Sequence, residues 1–220
     1  MMRCARVATL WLVGILSGGA AFAQTSTPST GSERPFYAEL DVAATLGHKS
    51  DQSVGGEAGM RILSGLDVFL EGGRMGNVGT TELDARALKI ANAVGASSSA
   101  SYKVNYFDAG VRYTVPVTSM AHPYLAFGVG MAQVTSETVL SVNGSAVPPA
   151  SLGVQFGSDL NGTERKALIM FGGGATVTFA TRYFVDLSYR YGRILPKTSV
   201  IDGDVAINTQ RAQVGVGVRF

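Results

Sequence analysis

The sequence has a single cysteine, Cys4, two histidines and one tryptophan, and charged residues make up only 15 % of it. One cysteine excludes a disulfide-stapled scaffold, and with two separated histidines it leaves no transition-metal ligand set. Lys and Arg together number 18 against 16 Asp and Glu, so the chain lacks the basic surplus of a nucleic-acid binder. Hydrophobic residues at 46 % exclude a disordered polymer. No apolar run reaches the ~20 residues of a membrane-spanning helix. What the chain has in plenty is glycine, 28 of 220 residues, roughly twice the usual ~7 %.

Residues 1–23 read as a secretory signal peptide. Arg3 and Arg6 supply the positive start, residues 8–16 a short apolar run, and Ala21-Phe22-Ala23 a small-x-small cleavage site. Cleavage after Ala23 removes Cys4 and leaves an uncharged balance, because two of the 18 basic residues depart with it. Residues 24–35, rich in Ser, Thr and Pro, read as a flexible periplasmic lead-in with nothing to bury.

From Phe36 onward, period-2 alternation recurs in eight segments: 36–46, 54–62, 66–75, 105–115, 123–134, 167–179, 183–191 and 212–220. Each is about the 9–11 residues of a tilted transmembrane strand. Their connections alternate in length. The short ones are 63–65, 116–122 and 180–182; the long ones are 76–104, 135–166 and 192–211, with 47–53 modest. Short turns at one end and long loops at the other are the layout of an outer-membrane barrel.

A soluble sandwich also alternates, so the composition of the polar face decides between the two. That face carries Glu39, Asp41, Glu57, Arg61, Asp67, Glu71, Asp108, Arg112, Asp186, Arg190 and Arg219, seven carboxylates and four arginines without a lysine. Arg forks suit enclosed carboxylate pairing, whereas a solvated face uses Lys freely. The same face holds Gly55, Gly59, Gly128, Gly130, Gly172, Gly215 and Gly217, which make room where strands converge on a narrow lumen. The other face is uncharged apart from Arg74, and Phe36, Tyr113, Phe179, Tyr183 and Phe220 gather near the short turns as an interfacial girdle. The expected fold is therefore all-β, an eight-stranded antiparallel up-and-down transmembrane barrel over 36–220, with the ionic residues meeting inside as a plugged, hydrated polar core.

Four stretches carry a resemblance to the small porin/opacity and OmpA-type transmembrane-domain families: residues 109–113 (AGVRY), 122–130 (HPYLAFGVG), 187–191 (LSYRY) and 214–220 (VGVGVRF). The resemblance implies residence in the Gram-negative outer membrane, with outer-membrane lipid and lipopolysaccharide as neighbours. It also implies that Phe220, closing an alternating strand, is the signal read by the barrel-assembly machinery. With the chain ending at Phe220, no peptidoglycan-binding domain is expected after the barrel.

Chemistry is sparse. His48 lies near Ser50, Asp51 and Ser53, yet the spacing does not resemble that of lipid A deacylase barrels, and loop chemistry accounts for the same residues. His122 reads as a turn residue. Neither Gly172-Gly173-Gly174 nor the Gly128/Gly130 pair precedes a helix or a Lys-Ser/Thr, so no phosphate loop is present. No enzyme, cofactor, metal or nucleic-acid partner is expected. An extracellular ligand would engage loops 76–104 and 135–166. Within the first, residues 81–94 place Leu83, Ala87, Ile90, Ala91 and Val94 on one helical face, with Thr81 and Asp84 spaced as a capping box; a short rim helix and an irregular loop both fit. A surface or adhesion barrel is the leading reading. The others are a narrow cation-preferring channel, a lipid-modifying enzyme and a soluble ligand-binding barrel.

Overall fold

The computed structural model describes residues 34–117, 120–196 and 205–220; the expected signal peptide, and the lead-in as far as residue 33, lie outside them. Nine strands form in chain order: β1 Phe36–Leu46, β2 Asp51–Leu63, β3 Leu66–Met75, β4 Ser97–Thr114, β5 Ala121–Val142, β6 Ser145–Val147, β7 Gly162–Phe179, β8 Tyr183–Ile194 and β9 Ile207–Arg219. One helix, α1 (Thr81–Ala93), separates β3 from β4. Every barrel pairing is antiparallel between strands adjacent in the meander, β4 pairs β5, and β1 pairs β9 to close the ring. Strand β6 only extends the β5 hairpin, so the closed wall has eight strands, as expected.

The register fixes the shape of the wall. Starting at Met75, the paired positions run Ser53, Ala43, Gln213, Ser188, Gly174, Tyr124 and Thr114. The Thr114 N–H then reaches the carbonyl of Gly65. One circuit thus descends from position 75 to position 65, a stagger of ten residues, which sets the strand tilt of a narrow barrel. The ends meet through a reciprocal pair: Phe36 N–H donates to Phe220 O (3.1 Å) and Phe220 N–H to Phe36 O (2.9 Å), with the two rings stacked at 6.1 Å.

Side chains sort inside-out within this wall. Leu40, Val42, Leu70, Phe107, Leu125, Phe127, Leu187 and Val216 face outward and exposed, while Glu39, Glu57, Glu71, Asp108, Arg112, Asp186 and Arg190 are buried. A water-soluble sandwich would bury the first set. The five aromatics of the expected girdle all stand outward, and Phe179 stacks on Tyr183 at 6.1 Å. Among the described residues no helix is long and apolar enough to cross a membrane, so any crossing falls to the strands. Inward glycines sit where a neighbouring inward side chain lies flat over the strand. A Cβ on Gly59 would overlap the Tyr37 ring, and one on Gly217 the Phe184 ring.

Several boundaries differ from the sequence expectation. Strand β4 begins at Ser97 rather than 105, β5 runs on to Val142, β7 starts at Gly162, β8 reaches Ile194 and β9 starts at Ile207. The expected loops 76–104, 135–166 and 192–211 are correspondingly shorter. His122 belongs to β5, paired with Thr176, and is not a turn residue. The cause is an exchange of polarity between the two faces of one unbroken alternation. On β4 the apolar residues at 107, 111 and 113 point outward, but above them the apolar Ala100, Tyr102 and Val104 point inward, so a reading that keeps apolar residues on one face ends the strand near residue 105.

Candidate functional site: the occluded lumen and its cap

The membrane-level lumen is built from acids on one side and arginines reaching across from the other. Glu39, Glu57, Glu71 and Asp108 occupy directly opposed register positions on β1 to β4. Arg190 and Arg211 oppose each other on β8 and β9. Like charges facing across a pair of strands repel, so each row depends on partners across the barrel. Arg190 Nη2 reaches Glu57 Oε2 at 2.9 Å, Arg211 Nη1 reaches Glu71 Oε1 at 3.0 Å, and Arg112 Nη2 reaches Glu57 Oε1 at 2.7 Å. Arg112 also stands 3.9 Å from both Glu39 and Asp186.

Tyrosines complete the struts. Tyr37 donates to Glu57 Oε1 at 2.5 Å, Tyr124 to Asp186 Oδ2 at 2.5 Å and Tyr106 to Glu71 Oε1 at 2.9 Å. The Arg112 guanidinium lies over the rings of Tyr124 (4.2 Å) and Tyr37 (5.2 Å), and that of Arg211 over Tyr106 (4.4 Å). Asp41 accepts from Gln213 at 2.9 Å.

The structure therefore gathers most of the expected ionic set but not as one network. Arg61 pairs locally with Asp67 (3.2 Å), and Arg219 lies over the Phe184 ring (5.1 Å) near the short-turn mouth. Asp108, wholly buried, has no hydrogen-bond partner for either carboxylate oxygen among the described residues. Three participants escaped the sequence reading: Arg211, Tyr106 and Tyr124. Each shares the inward parity of a residue already on the polar face, Arg211 with Gly215, Tyr106 with Asp108 and Tyr124 with Ala126. Arg211 also trims the expected acidic excess, bringing inward arginines to five against seven carboxylates. Among the described residues one lysine of the barrel wall points inward, Lys166, higher in the barrel and 3.2 Å from Glu164.

The expected polar core is only half of the interior. Above the ion pairs the lumen is filled by Met75, Val104, Ala132, Val134, Leu168, Ile194 and Ile207, and the inner face of α1 joins this cluster through Leu83 and Ala87, with Ile90 packed against it and Ala91 also buried. The helix at 81–94 is thus present, and its face is the expected one. Its cap is Thr80, whose hydroxyl accepts from Leu83 N–H at 3.3 Å, rather than Thr81. Three polar ties hold α1 at the rim: Lys49 Nζ to Asp84 (2.9 Å), His48 Nε2 to Asp84 (3.0 Å) and Arg86 to Asp159 (3.4 Å). His48 is thereby engaged with a carboxylate of the helix rather than with Ser50 or Ser53. Burial beneath the helix pushes the Tyr102 hydroxyl up to about 12.

Near the short-turn mouth, the free space among Tyr37, Arg112, Phe184 and Arg219 is about 10 Å³. One water needs ~10–15 Å³. At the opposite rim a cleft of about 160 Å³ opens between residues 45–49, the start of α1 and Asn208–Gln210. Among the described residues no group of His, Cys, Asp and Glu is disposed to hold a metal ion.

An eight-stranded closed meander with an apolar exterior and an ionic interior is the architecture of a small transmembrane barrel. Residues 10–220 match the family model of the outer membrane protein beta-barrel domain, and the chain belongs to that family, whose members reside in the outer membrane. Among solved structures it is similar to Neisserial surface protein A, at 17 % identity over 84 % of this chain and 97 % of that one, with a TM-score of 0.53. The N-terminal β-barrel domain of Pseudomonas aeruginosa OprF is 15 % identical over 86 % of this chain and 98 % of that one, with a TM-score of 0.48. The outer membrane enzyme PagL is 13 % identical over 84 % and 99 %, with a TM-score of 0.40. At 17 % identity the likeness to Neisserial surface protein A is one of fold. No curated protein sequence matches the chain.

Proposed function

We propose that this protein is a non-conducting, non-enzymatic surface barrel that displays an extracellular platform for adhesion or envelope-structural contacts. The observation that carries the reading is the double occlusion of the lumen: arginine–carboxylate struts at membrane level and an apolar plug under α1 above them. The platform comprises α1, the tall β4–β5 hairpin with β6, and the turn at Pro149–Leu152. An extracellular ligand would meet these elements rather than long irregular loops. His48 takes part as a tie to α1, which supports a structural role for it.

The test is planar-bilayer recording of the purified, folded protein. The expected trace is a closed baseline across applied voltages, and steady step-like openings would refute the plugged barrel. A narrow cation path is the second reading, favoured by the surplus of inward carboxylates and the unpaired Asp108. It predicts small openings that prefer cations and change with Asp108→Asn. Export through a peptide cleaved after Ala23 is part of the proposal, with Gln24 expected at the mature N-terminus on sequencing. So is recognition of Phe220 by the assembly machinery, and deletion of Phe220 should lower the heat-modifiable fraction in outer membranes.

A further inference from the structure

The short-turn mouth of the lumen differs from the rest of the interior in its charge balance. At membrane level Arg112, Arg190 and Arg211 each reach a carboxylate across the barrel. At the mouth four arginines, Arg34, Arg61, Arg112 and Arg219, line one space of about 10 Å³, and Asp67 is the one acid in its walls. Arg61 stands on β2, Arg112 on β4 and Arg219 on β9, while Arg34 leads into β1. The register gathers them: Asp67 opposes both Arg61 and Arg112, and Arg219 opposes Tyr37 across the β1–β9 seam.

Asp67 answers only part of this charge. Arg61 meets it through Nε alone, at 3.2 Å, which leaves both Arg61 Nη groups without a partner among the described residues. Arg219, half-buried, rests its guanidinium on the Phe184 ring at 5.1 Å and has neither a hydrogen bond nor an ion pair among the described residues. Arg34 gives one Nη to the Thr181 carbonyl at 3.2 Å. Beneath them Arg112, 3 % exposed, turns Nη2 to Glu57, and its buried Nε has no partner. Unpaired cations stand elsewhere, Lys89 on α1 and Arg165 on β7 among them, but at exposed positions where water serves them. Here the free donors converge on one enclosed space, where an unanswered N–H group is costly.

A carboxylate meets that demand. Its two oxygens accept in pairs from guanidinium forks. A space of about one water takes this planar edge, while a tetrahedral phosphate needs room for further oxygens. The mouth lies on the barrel axis and not on the outward wall, so the lipid headgroups around the barrel are not its source. Short turns of such barrels face the periplasm. We infer that the short-turn mouth binds the carboxylate of a periplasmic ligand, a free peptide C-terminus being its simplest form. Arg219 and the Arg61 Nη groups are the main donors, with Arg34 at the outer edge and Arg112 Nε at the floor. The site is independent of whether the lumen conducts and of what the extracellular platform meets.

The test uses the folded full-length protein in phosphatidylcholine nanodiscs, with isotope-labelled arginine side chains followed by NMR. The probes are acetyl-alanyl-alanine, its C-terminal amide and inorganic phosphate. The free acid should shift the Arg219 and Arg61 Nε–H signals saturably, the amide should not, and phosphate should bind more weakly. Affinity read at Arg61 should fall about tenfold in Arg219→Gln, the loss of one charge-assisted contact. Arg182→Gln removes an unpaired cation at the same end but outside the mouth and should leave the affinity unchanged. Unheated gel mobility confirms that each variant is folded. The inference is overturned if the amide or phosphate binds as tightly as the free acid, or if no probe shifts these signals. Undiminished binding in Arg219→Gln, or an equal loss in Arg182→Gln, would overturn it as well.

Discussion

The two halves of the barrel interior are built on opposite chemistry. At membrane level the wall is apolar outside and ionic inside: Phe107 and Val111 face out while Asp108 and Arg112 face in. Above Asn105 the same strand turns Lys103 and Ser99 outward and Tyr102, Val104 and Ala100 inward. The lower half gains nothing from hiding hydrocarbon, because lipid already surrounds it. Its interior can therefore hold charges, provided each finds a partner. The upper half stands in water and follows the rule of a soluble protein, with an apolar core covered by an amphipathic helix. One continuous strand serves both halves by keeping its alternation while the meaning of inward and outward residues is exchanged.

Breaking the lower half should have the largest effect. Glu57→Gln leaves Arg112 and Arg190 facing each other without the carboxylate that both use, and loss of one partner of a buried pair costs about 3–5 kcal/mol. Denaturant titration in detergent micelles should show that loss as an earlier unfolding midpoint. Leu83→Ala strikes the upper half. Removing a buried leucine costs about 2–5 kcal/mol, but here the cost should fall on the docking of α1 and not on the wall. Hydrogen exchange should quicken across Thr81–Ala93 while the lower strands keep their protection.

A smaller effect sharpens the rule that lumen charges need partners. Asp108→Asn removes an unpaired carboxylate opposite Glu71, and relief of a like-charge pair should raise stability by up to ~1 kcal/mol in the same titration. Asp51 gives the smallest effect. Asn77 and Gln52 N–H groups hold its carboxyl below the usual range, so its support of the 76–80 approach to α1 is complete above the ordinary Asp pKa. That support is lost as pH falls through the depressed value. Faster amide exchange at Asn77 on acidification, absent in Asp51→Asn, is the expected observation.

Most of the lower half was legible in the sequence because its alternation is uninterrupted: β1, β3 and the lower stretches of β4, β5 and β7 coincide with the segments read from residue pattern alone. The upper stretches were hidden by the polarity exchange itself. Tyr102, Val104 and Tyr106 sit on the face that Asp108 and Arg112 occupy lower down, so a reading that expects one polar face ends the strand at 105. Arg211 was missed for a related reason. It lies one residue before the segment begun at Ala212, although its parity with Gln213 and Gly215 continues the inward face. Which arginine reaches which acid was not legible, because those pairs join strands that are not neighbours and depend on the ten-residue stagger. The packing of α1 over the lumen likewise rests on Met75, Val104 and Ile207 coming together from three strands.

The exchange of faces at Asn105 is the central claim, and a depth scan along β4 tests it most directly. With Cys4 as the sequence's one cysteine, single cysteines at Ser101, Lys103, Asn105, Phe107, Ala109 and Val111 can each carry a spin label in reconstituted bilayers. Labels at Phe107, Ala109 and Val111 should relax with membrane-dissolved oxygen, and those at Ser101, Lys103 and Asn105 with an aqueous nickel complex. The switch should fall between 105 and 107. A uniform response along all six positions, or aqueous access at Phe107 and Val111, would contradict it.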